Sequence, residues 1–331
     1  MTRPVLSVRD LRVHFPIRGG FLGRPVGWLK AVDGVDLEIA PGESLALVGE
    51  SGCGKSTLGT TILGMQRATS GRIIFEGEDV TSDASVRRAD LSRDIQIVFQ
   101  DPVSALNPKL TIGESIAEPL IIHGIGTREE RQQRIGELLE LVGLNPGHAD
   151  RKPNAFSGGQ RQRIVIARAI ALQPKLLILD EPVSALDVSI RSQILNLLLE
   201  LQQRLGLSYL FISHDLSVVR HFADRVAVMY LGRIAETGTT AEVFAKPVHP
   251  YTEALLSAVP LPDPKAQRRR QRIILQGDLP SPANPPAGCR FSTRCPIAVP
   301  ICRTVAPELE AVQPGGHSAA CHERTPDFLK E

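Results

Sequence analysis

The chain has 331 residues, and 38 Lys and Arg against 36 Asp and Glu leave a formal net charge of +2. Because a nearly neutral chain creates no strong field for polyanions, the charge balance gives no indication of a nucleic-acid partner. Hydrophobic residues at 42% and only five cysteines exclude disordered and disulfide-rich classes. The length indicates about two domains.

The sequence contains no convincing membrane-spanning segment, because such a helix needs about 20 mainly apolar residues. The most apolar stretches, 164–179 and 194–212, are interrupted by charges such as Arg168 and Glu200. The start of the chain is also charged where a secretory signal would be apolar. We therefore expect a cytosolic chain that reaches a membrane through a partner or a surface patch.

Strands and helices alternate along most of the chain, which predicts an α/β fold with a mostly parallel sheet covered on both faces. A Gly-rich stretch, IRGGFLGRPVGW at 17–28, predicts a surface loop between the first two strands. The predicted strands cover 6–15, 32–39, 44–48, 73–75, 95–99, 176–179, 208–212 and 226–230, and the predicted helices cover 55–65, 160–172 and 190–205.

Two regions interrupt this alternation. Between residues 101 and 154 apolar residues recur at helical spacing, with Ile135, Leu138 and Leu139 on one face, which predicts an inserted helical subdomain. From Pro247 the composition changes and proline becomes dense. We expect a tail domain or extended appendage there that does not continue the sheet.

GESGCGKS at 49–56 fits the phosphate-binding pattern G-x-x-x-x-G-K-[ST] and lies between a predicted strand and a predicted helix. Glycines let such a loop turn its N–H groups towards phosphate oxygens, and the helix adds its positive end. Lys55 is predicted to reach the β- and γ-phosphates and Ser56 to bind Mg²⁺. The predicted ATP-binding residues of this loop are Gly49, Glu50, Ser51, Gly52, Cys53, Gly54, Lys55, Ser56 and Thr57.

A second candidate element is LLILDEP at 176–182, a strand that ends in two carboxylates. Asp180 is predicted to hold Mg²⁺ through water, and Glu181 to polarise the attacking water. An acidic pair at a strand end is usually a turn or a cap, but the phosphate-binding loop upstream favours the catalytic interpretation.

SGGQ at 157–160 precedes a helix, so its N–H groups and the Ser157 hydroxyl form a second candidate phosphate site. One chain is not expected to fold two helix starts around one γ-phosphate. A second subunit that faces the first head-to-tail satisfies both sites. The alternative is a simple serine N-cap followed by a glycine turn. The residues concerned are Ser157, Gly158, Gly159 and Gln160.

In order and spacing, these segments resemble the ATP-binding cassette (ABC) ATPases from residue 5 to about 245. The resemblance implies that Gln100 contributes to the metal and water site and links it to a transmembrane partner. It also implies that Asp187 lies at a dimer interface and that His214 contacts the γ-phosphate. The matching segments are the loop at 49–56, Gln100, SGGQ, LLILDE, SALD at 184–187 and His214 in ISHD.

Phe15 is the candidate for stacking on adenine in such a site. Trp28 is the alternative, because it lies nearer the phosphate-binding loop in sequence. An ordinary core position at a strand end is the competing interpretation of Phe15.

Finer motifs narrow the resemblance to the ATPases of oligopeptide and dipeptide importers. Asn154 and Ala155 depart from the His-Glu that is common before FSGGQ in that family. The resemblance implies an ABC ATPase domain at 1–245, with a helical subdomain at about 101–156, and a C-terminal extension at 246–331. The motifs are FQDPVSALNP at 99–108, HPYTEALLSAVP at 249–260 and LQGDLPSPANPPAGCRFSTRCPIAVPIC at 275–302.

Four cysteines lie within this tail, in the spacing C-x5-C-x6-C-x18-C. In a cytosolic protein such a cluster favours metal or redox chemistry over disulfides. Four thiolates with a Cys-Pro step suit an iron–sulfur cluster, and the family resemblance implies a [4Fe–4S] site. Zinc and free or oxidised thiols are the alternatives, with His317 and His322 as substitute ligands. The cysteines are Cys289, Cys295, Cys302 and Cys321.

The resemblance implies an ATP- and Mg²⁺-dependent subunit of a di- or oligopeptide importer, peripheral on the cytoplasmic face of the inner membrane. Its expected partners are a paralogous ABC ATPase in a heterodimer, two transmembrane permeases and an extracytoplasmic solute-binding protein. The alternatives are nickel or glutathione importers and ABC ATPases of DNA repair or translation. The last group usually carries coiled-coil insertions or two cassettes, whereas this chain has one phosphate-binding loop.

Overall fold

A computed structural model describes residues 3–19, 24–81, 91–260, 272–312 and 316–324 of the chain. The strands are β1 (Leu6–Gly19), β2 (Arg24–Ile39), β3 (Ser44–Val48), β4 (Ser70–Phe75), β5 (Glu78–Asp79), β6 (Ile95–Val98), β7 (Leu176–Asp180), β8 (Ser208–Ser213), β9 (Arg225–Tyr230), β10 (Arg233–Thr239), β11 (Glu310–Ala311) and β12 (Ser318–Ala319).

Helices separate many of these strands, as the sequence predicts for an α/β fold. Within the described ranges, no helix combines the length and the apolar composition that crossing a membrane requires. The helices are α1 (Lys55–Ile62), α2 (Pro102–Ala105), α3 (Ile112–Ile122), α4 (Arg128–Leu141), α5 (Gly158–Ile170), α6 (Val188–Leu205), α7 (Leu216–Phe222), α8 (Thr240–Ala245), α9 (Pro250–Ser257) and α10 (Ile301–Thr304), with 3-10 turns at Pro146–His148 and Pro153–Ala155.

The chain divides into two compact units, of which the first comprises residues 1–5, 39–43 and 75–211. The strand order in this unit is β8-β7-β6. β6 and β7 run parallel, with Val98 opposite Leu179. The first four residues of β7 are fully buried, which is the pattern of a strand inside a covered parallel sheet.

Three helices of this first unit, α2, α3 and α4, lie within the stretch for which an inserted helical subdomain is predicted. α4 begins with a capping box in which the Thr127 hydroxyl accepts from the Glu130 N–H at 3.2 Å, and the Glu130 carboxylate accepts from the Thr127 N–H at 2.7 Å. α3 begins in the same way. Ile135, Leu138 and Leu139 are buried, which confirms the predicted apolar face of α4.

The second unit comprises residues 6–38, 44–74 and 212–331. Its strand orders are β2-β1-β4 and β11-β12-β10-β9-β3. β3 runs parallel to β9, with Val48 opposite Val228, whereas β9 and β10 form an antiparallel pair. All five residues of β3 are buried, so the segment after Val48 leaves the sheet from a fixed position.

The prediction of a surface loop across residues 17–28 is wrong for the described part of that stretch. β1 continues to Gly19 and β2 already begins at Arg24, while residues 20–23 lie outside the described ranges. Arg24, Pro25 and Val26 are exposed, so no apolar alternation marks this part of the strand. Strand pairing depends on backbone hydrogen bonds, which the side-chain pattern does not reveal here.

The prediction that the tail does not continue the sheet is also wrong. β12 pairs with β10, with Ala319 opposite Glu236, and β11 pairs with β12. Two-residue strands are too short to show the period-2 pattern on which sequence prediction depends. The buried Glu236 carboxylate accepts the N–H groups of Val248 and His249 and bonds the His317 ring at 2.8 Å, so a polar contact fixes this pairing.

Asp33 of β2 is the centre of a charged network in the second unit. This aspartate is 6% exposed, and its carboxylate bonds the His14 ring at 2.9 Å, lies 3.5 Å from Arg233 and pairs closely with Arg290 of the tail. Burial opposes the charged form, but Arg290, His14 and Arg233 outweigh it and hold the pKa of Asp33 below its ordinary value of 3.8. The tail is thus tied to β2 by a buried ion pair.

We expect Asp33→Asn to lower the free energy of unfolding by about 3 kcal/mol at pH 7, because Arg290 stays buried without its carboxylate. Since the folded pKa is depressed, this contribution is complete above the ordinary pKa and is lost as the pH falls through the folded pKa. Urea unfolding at several pH values measures it, and the difference from wild type should shrink below about pH 4.

Asp36→Asn is the matched control, because Asp36 is an exposed aspartate on the same strand. Its effect should stay below about 1 kcal/mol. Equal losses of unfolding free energy in the two variants would contradict a stabilising ion pair between Asp33 and Arg290. So would a loss in Asp33→Asn that grows as the pH falls.

Candidate functional site

The phosphate-binding loop follows β3, and two of its glycines set its path. A Cβ added to Gly49 would lie 2.2 Å from the carbonyl oxygen of Met229, and one added to Gly54 would lie 2.0 Å from that of Ala31. Gly54 also has a φ of 109°, in the left-handed region. Any side chain at either position would collide with backbone, so only glycine allows this path.

Lys55 is the first residue of α1, and it is only 5% exposed. Its ammonium donates to the carbonyl oxygens of Gly49 at 2.8 Å and Glu50 at 3.0 Å. Both acceptors are neutral, so an anionic phosphate oxygen would bind the ammonium more strongly. The loop therefore places a lysine charge at a helix N-terminus, which is the arrangement that the motif predicts.

Cys53 lies inside the same loop and is 1% exposed. Burial raises the pKa of its thiol, although Lys55 acts in the opposite direction. Its carbonyl oxygen accepts the N–H of Gly232 at 2.9 Å. The cysteine is therefore a neutral, buried part of the loop wall, in agreement with its interpretation as a small loop residue.

Sequence reasoning missed a set of tail contacts on Glu50. The Glu50 N–H donates to the Tyr251 hydroxyl at 2.8 Å, and Arg294 donates to both oxygens of the Glu50 carboxylate at 2.9 and 3.3 Å. Burial opposes the charge on Arg294, but Glu50 and Tyr230 outweigh it and raise the pKa of the guanidinium. The tail thus holds the second residue of the loop by its backbone and by its side chain.

Aromatic rings support these tail contacts. The ring centroids of Tyr230 and Tyr251 lie 4.6 Å apart, and Phe291 lies 5.3 Å from the first and 5.5 Å from the second. Phe291 and Tyr251 are fully buried. Because Tyr230, Tyr251 and Phe291 lie far apart in sequence, no local pattern could have revealed this cluster of rings.

In the first unit, Asp180 ends β7 and Glu181 follows it with a φ of +49°. Non-glycine residues rarely adopt this left-handed backbone, and such strain is concentrated at functional sites. The Glu181 carbonyl oxygen accepts the N–H and the hydroxyl of Ser184 at 3.2 and 3.0 Å, which fixes the turn. Both carboxylate residues are half-buried.

Gln100 lies at the same edge of this sheet as Glu181. Val98 is paired with Leu179 in parallel strands, and each predicted site residue follows two positions later. The carboxyl ends of parallel strands form the edge at which ligands bind in α/β sheets. Gln100 is exposed there, and the roles of Gln100 and Glu181 at the metal and water site stay a prediction.

The two glycines of SGGQ serve different purposes. Ser157 caps α5, because its hydroxyl accepts the Gln160 N–H at 3.4 Å while the Gln160 side chain accepts the Ser157 N–H at 3.0 Å. A Cβ on Gly159 would lie 2.5 Å from Ile190, whereas one on Gly158 would meet only Leu186 at 3.7 Å. Gly159 is therefore required for packing, and Gly158 is not.

The start of α5 shares an exposed face with the start of α6. Ser157 and Gly158 are exposed, and so are Asp187, the N-cap of α6, and Val188, which is 77% exposed. A Cβ added to Gly158 would lie 3.7 Å from the side chain of Leu186, which directly precedes the N-cap of α6. The two helix starts are therefore neighbours. An exposed helix N-terminus beside an exposed apolar residue is suited to contact with another molecule.

The remaining predicted residues belong to the second unit. His214 is exposed directly after β8, Phe15 is half-buried in β1, and Trp28 in β2 is 49% exposed. The phosphate-binding loop, Phe15 and His214 thus share one unit, while Gln100, Asp180, Glu181, SGGQ and Asp187 share the other. Their assembly into one ATP site stays a prediction.

The four tail cysteines are free thiols, and the Cys289 N–H donates to the carbonyl oxygen of Cys302 at 2.8 Å. Burial raises the pKa of Cys289 to about 11, and Cys302, Cys295 and Cys321 add to the rise. Burial also raises the pKa of Cys295, to which Cys321 and Cys302 contribute.

Among the described residues, no group of three or more His, Cys, Asp or Glu side chains could hold a metal ion. The substitute ligands are engaged elsewhere: His317 with Glu236 at 2.8 Å, and His322 with the carbonyl oxygen of Val305 at 3.0 Å. A cluster of several irons differs from one ion, because each thiolate binds its own iron and the sulfurs need not converge. Thiolates are the usual ligands of iron–sulfur clusters, and the [4Fe–4S] site stays a prediction.

Comparison with known protein families gives two matches. The ABC transporter family matches residues 32–184, which include the phosphate-binding loop, SGGQ and β7. The family described as "Oligopeptide/dipeptide transporter, C-terminal region" matches residues 235–302, which include three of the four tail cysteines.

Curated relatives match almost the whole chain. Oligopeptide transport ATP-binding protein AppF of Bacillus subtilis is 52% identical over 319 residues, which are 96% of this chain and 97% of the relative. Oligopeptide transport ATP-binding protein OppF of Salmonella typhimurium is 52% identical over 92% of each chain. OppF of Escherichia coli is 51% identical over 96% of this chain and 95% of its own.

Solved structures share the fold. The cbiO1 structure from Clostridium perfringens, part of the ABC transporter complex cbiONQ, is 31% identical, with a TM-score of 0.64 over 73% of this chain and 91% of its own. The dimeric ATP-binding cassette MJ0796, bound to ADP and Pi, is 30% identical, with a TM-score of 0.63 over 71% of this chain and 98% of its own. Both confirm the predicted ABC ATPase fold. The chain therefore belongs to the ABC transporter ATP-binding family, in the branch that carries the oligopeptide/dipeptide transporter C-terminal region.

Proposed function

We propose that this chain is the ATP-hydrolysing subunit of an importer for di- and oligopeptides. The observation that carries the proposal is the loop at 49–56, where the buried Lys55 lies at a helix N-terminus and the peptide-transporter tail holds Glu50. The relatives that match over more than nine-tenths of the chain are oligopeptide transport ATP-binding proteins, which supports the same activity and cargo here.

The subunit would act on the cytoplasmic face of the inner membrane, within a complex. Its partners in this proposal are a paralogous ABC ATPase, two transmembrane permeases and an extracytoplasmic solute-binding protein. The permeases and the binding protein would select the peptide. The branch with the peptide-transporter tail supports these partners, and the solved relative cbiO1 is itself part of a transporter complex.

The chemistry of the proposed site follows from its side chains. Lys55 binds the β- and γ-phosphate oxygens and stabilises the charge that develops as the bond to ADP breaks. Glu181 accepts a proton from the water that attacks the γ-phosphorus, and His214 contacts the γ-phosphate. Ser56, Gln100 and Asp180 supply the oxygen ligands that suit Mg²⁺, which neutralises phosphate charge when bound.

A second subunit completes the site in this proposal. The exposed face of Ser157, Gly158 and Asp187 would meet the phosphate-binding loop of the partner ATPase. The dimeric state of the related cassette MJ0796 supports such an arrangement. ATP would then hold the two subunits together, and hydrolysis would release them.

We expect Glu181→Gln to retain ATP binding within about twofold and to lower hydrolysis by about 10²- to 10⁴-fold, because the loop is intact and the water is no longer activated. The measurement is ATP turnover of the assembled transporter with the partner's own site disabled. Glu200→Gln is the control, because Glu200 is an exposed carboxylate on α6. Wild-type turnover in Glu181→Gln would exclude Glu181 as the base.

We expect Gly158→Asp to stop hydrolysis at the partner's phosphate-binding loop, because its carboxylate would repel the γ-phosphate, while Gly158→Ala keeps most of the activity. Both side chains have room, since the nearest atom to the added Cβ is 3.7 Å away. ATP binding to the isolated chain, measured by titration, should stay unchanged. Full turnover by a strictly monomeric chain carrying Gly158→Asp would rule out the two-subunit site.

We also propose that the tail binds a [4Fe–4S] cluster. Cys289, Cys295, Cys302 and Cys321 offer four sulfur ligands of the type that such clusters use, and the 2.8 Å backbone hydrogen bond between Cys289 and Cys302 brings two of these residues together. When bound, such a cluster cross-links the tail through its iron–sulfur bonds. The cysteines themselves would hold residues 289–302 together with residue 321.

Anaerobically purified protein should be brown, with about four irons per chain and a broad visible absorption that bleaches in air. Iron, zinc and acid-labile sulfide analysis measures this. Cys295→Ser should lose most of the iron, whereas Cys53→Ser, in the phosphate-binding loop, should keep it. Stoichiometric zinc without iron would reject the cluster.

A further inference from the structure

We propose that Arg294 and Tyr251, both in the C-terminal extension, are positioning residues for the phosphate-binding loop: they hold Glu50 and thereby set the affinity for ATP. This inference rests on the proposed function, because it concerns the same ATP site. It assigns to the peptide-transporter tail a direct role in nucleotide binding.

The first step is the position of Glu50 between the tail and Lys55. Its N–H donates to the Tyr251 hydroxyl at 2.8 Å, and its carbonyl oxygen accepts from the Lys55 ammonium at 3.0 Å. A movement of this residue therefore moves an acceptor of the lysine that binds phosphate. Tyr251 is well placed to prevent that movement, because its ring is fully buried.

The second step is the charge of Glu50. Its side chain is 29% exposed and lies in a loop that binds anions, so an unpaired carboxylate would repel the triphosphate. Arg294 neutralises it through two hydrogen bonds, at 2.9 and 3.3 Å. This guanidinium is 10% exposed, so the pair is screened less by solvent than a surface pair.

The third step is the rigidity of the segment that presents Arg294. Arg290 pairs closely with Asp33 and donates to the carbonyl oxygen of Leu231 at 2.5 Å. Phe291, one residue later, is 1% exposed among aromatic rings. Because the segment is anchored at both residues, Arg294 reaches Glu50 from a fixed backbone and does not have to be ordered when ATP binds.

A structural role alone would lower stability without a selective effect on nucleotide binding, so the test separates the two. The full-length chain is titrated with a fluorescent ATP analogue, and its thermal unfolding is followed in parallel. The variants are Arg294→Gln, Arg294→Lys, Tyr251→Phe and, as the matched control, Arg324→Gln. Arg324 is another tail arginine, paired with Glu253 at 2.6 Å.

We expect Arg294→Gln to weaken ATP binding about tenfold and Arg324→Gln to leave it unchanged. Arg294→Lys should recover part of the loss, because it restores the charge but not the two-pronged contact. Tyr251→Phe should weaken binding by a smaller factor. In the assembled transporter, Arg294→Gln should raise KM for ATP and leave kcat within about twofold, since Glu181 is untouched.

The background variant Glu50→Gln gives the decisive comparison. Adding Arg294→Gln to it should cost no further affinity, because the charge that Arg294 neutralises is already gone. Equal affinities for Arg294→Gln and Arg324→Gln, or a full tenfold loss in the Glu50→Gln background, would overturn the inference. If the wild-type chain failed to bind ATP, or if Lys55→Ala left the affinity for ATP unchanged, the proposed function would be overturned instead.

Discussion

The close backbone approach at Gly49 and Gly54 is the constraint on which the nucleotide loop depends. Carbonyl oxygens of Met229 in β9 and Ala31 in β2 occupy the space that a Cβ would need. The loop is therefore positioned by two strands of its own unit, and its curvature encloses Lys55. Neutral carbonyls accept hydrogen bonds from that ammonium and hold it in place. An anionic phosphate oxygen is a stronger acceptor, so the ammonium can exchange these hydrogen bonds for contacts with phosphate.

Elements whose signals are local in sequence could be predicted. β3 occupies its predicted residues 44–48, because five consecutive apolar or small residues precede a glycine turn. α5 starts two residues before its predicted start at Gln160, since Ser157 serves as the N-cap. Gln100 and Glu181 were assigned from order along the chain, and the register of β6 and β7 places both at one edge.

Contacts between distant residues could not be predicted in this way. Glu50 and Arg294 are 244 positions apart, and neither carries a local signal for the other. β11 and β12 are two residues long, so they have no periodicity, and their pairing depends on the buried contact of His317 with Glu236. The backbone strain at Glu181 is likewise invisible in a sequence, because glutamate usually avoids a positive φ.

The second unit is built from segments that lie far apart in the sequence, which affects how it folds during synthesis. Residues 6–38 and 44–74 leave the ribosome early, yet their unit also needs residues 212–331. Domains fold as units during synthesis, and incomplete ones expose apolar strands. The nucleotide loop is thus translated early, but the contacts that Tyr251 and Arg294 make with Glu50 can form only after the tail has left the ribosome.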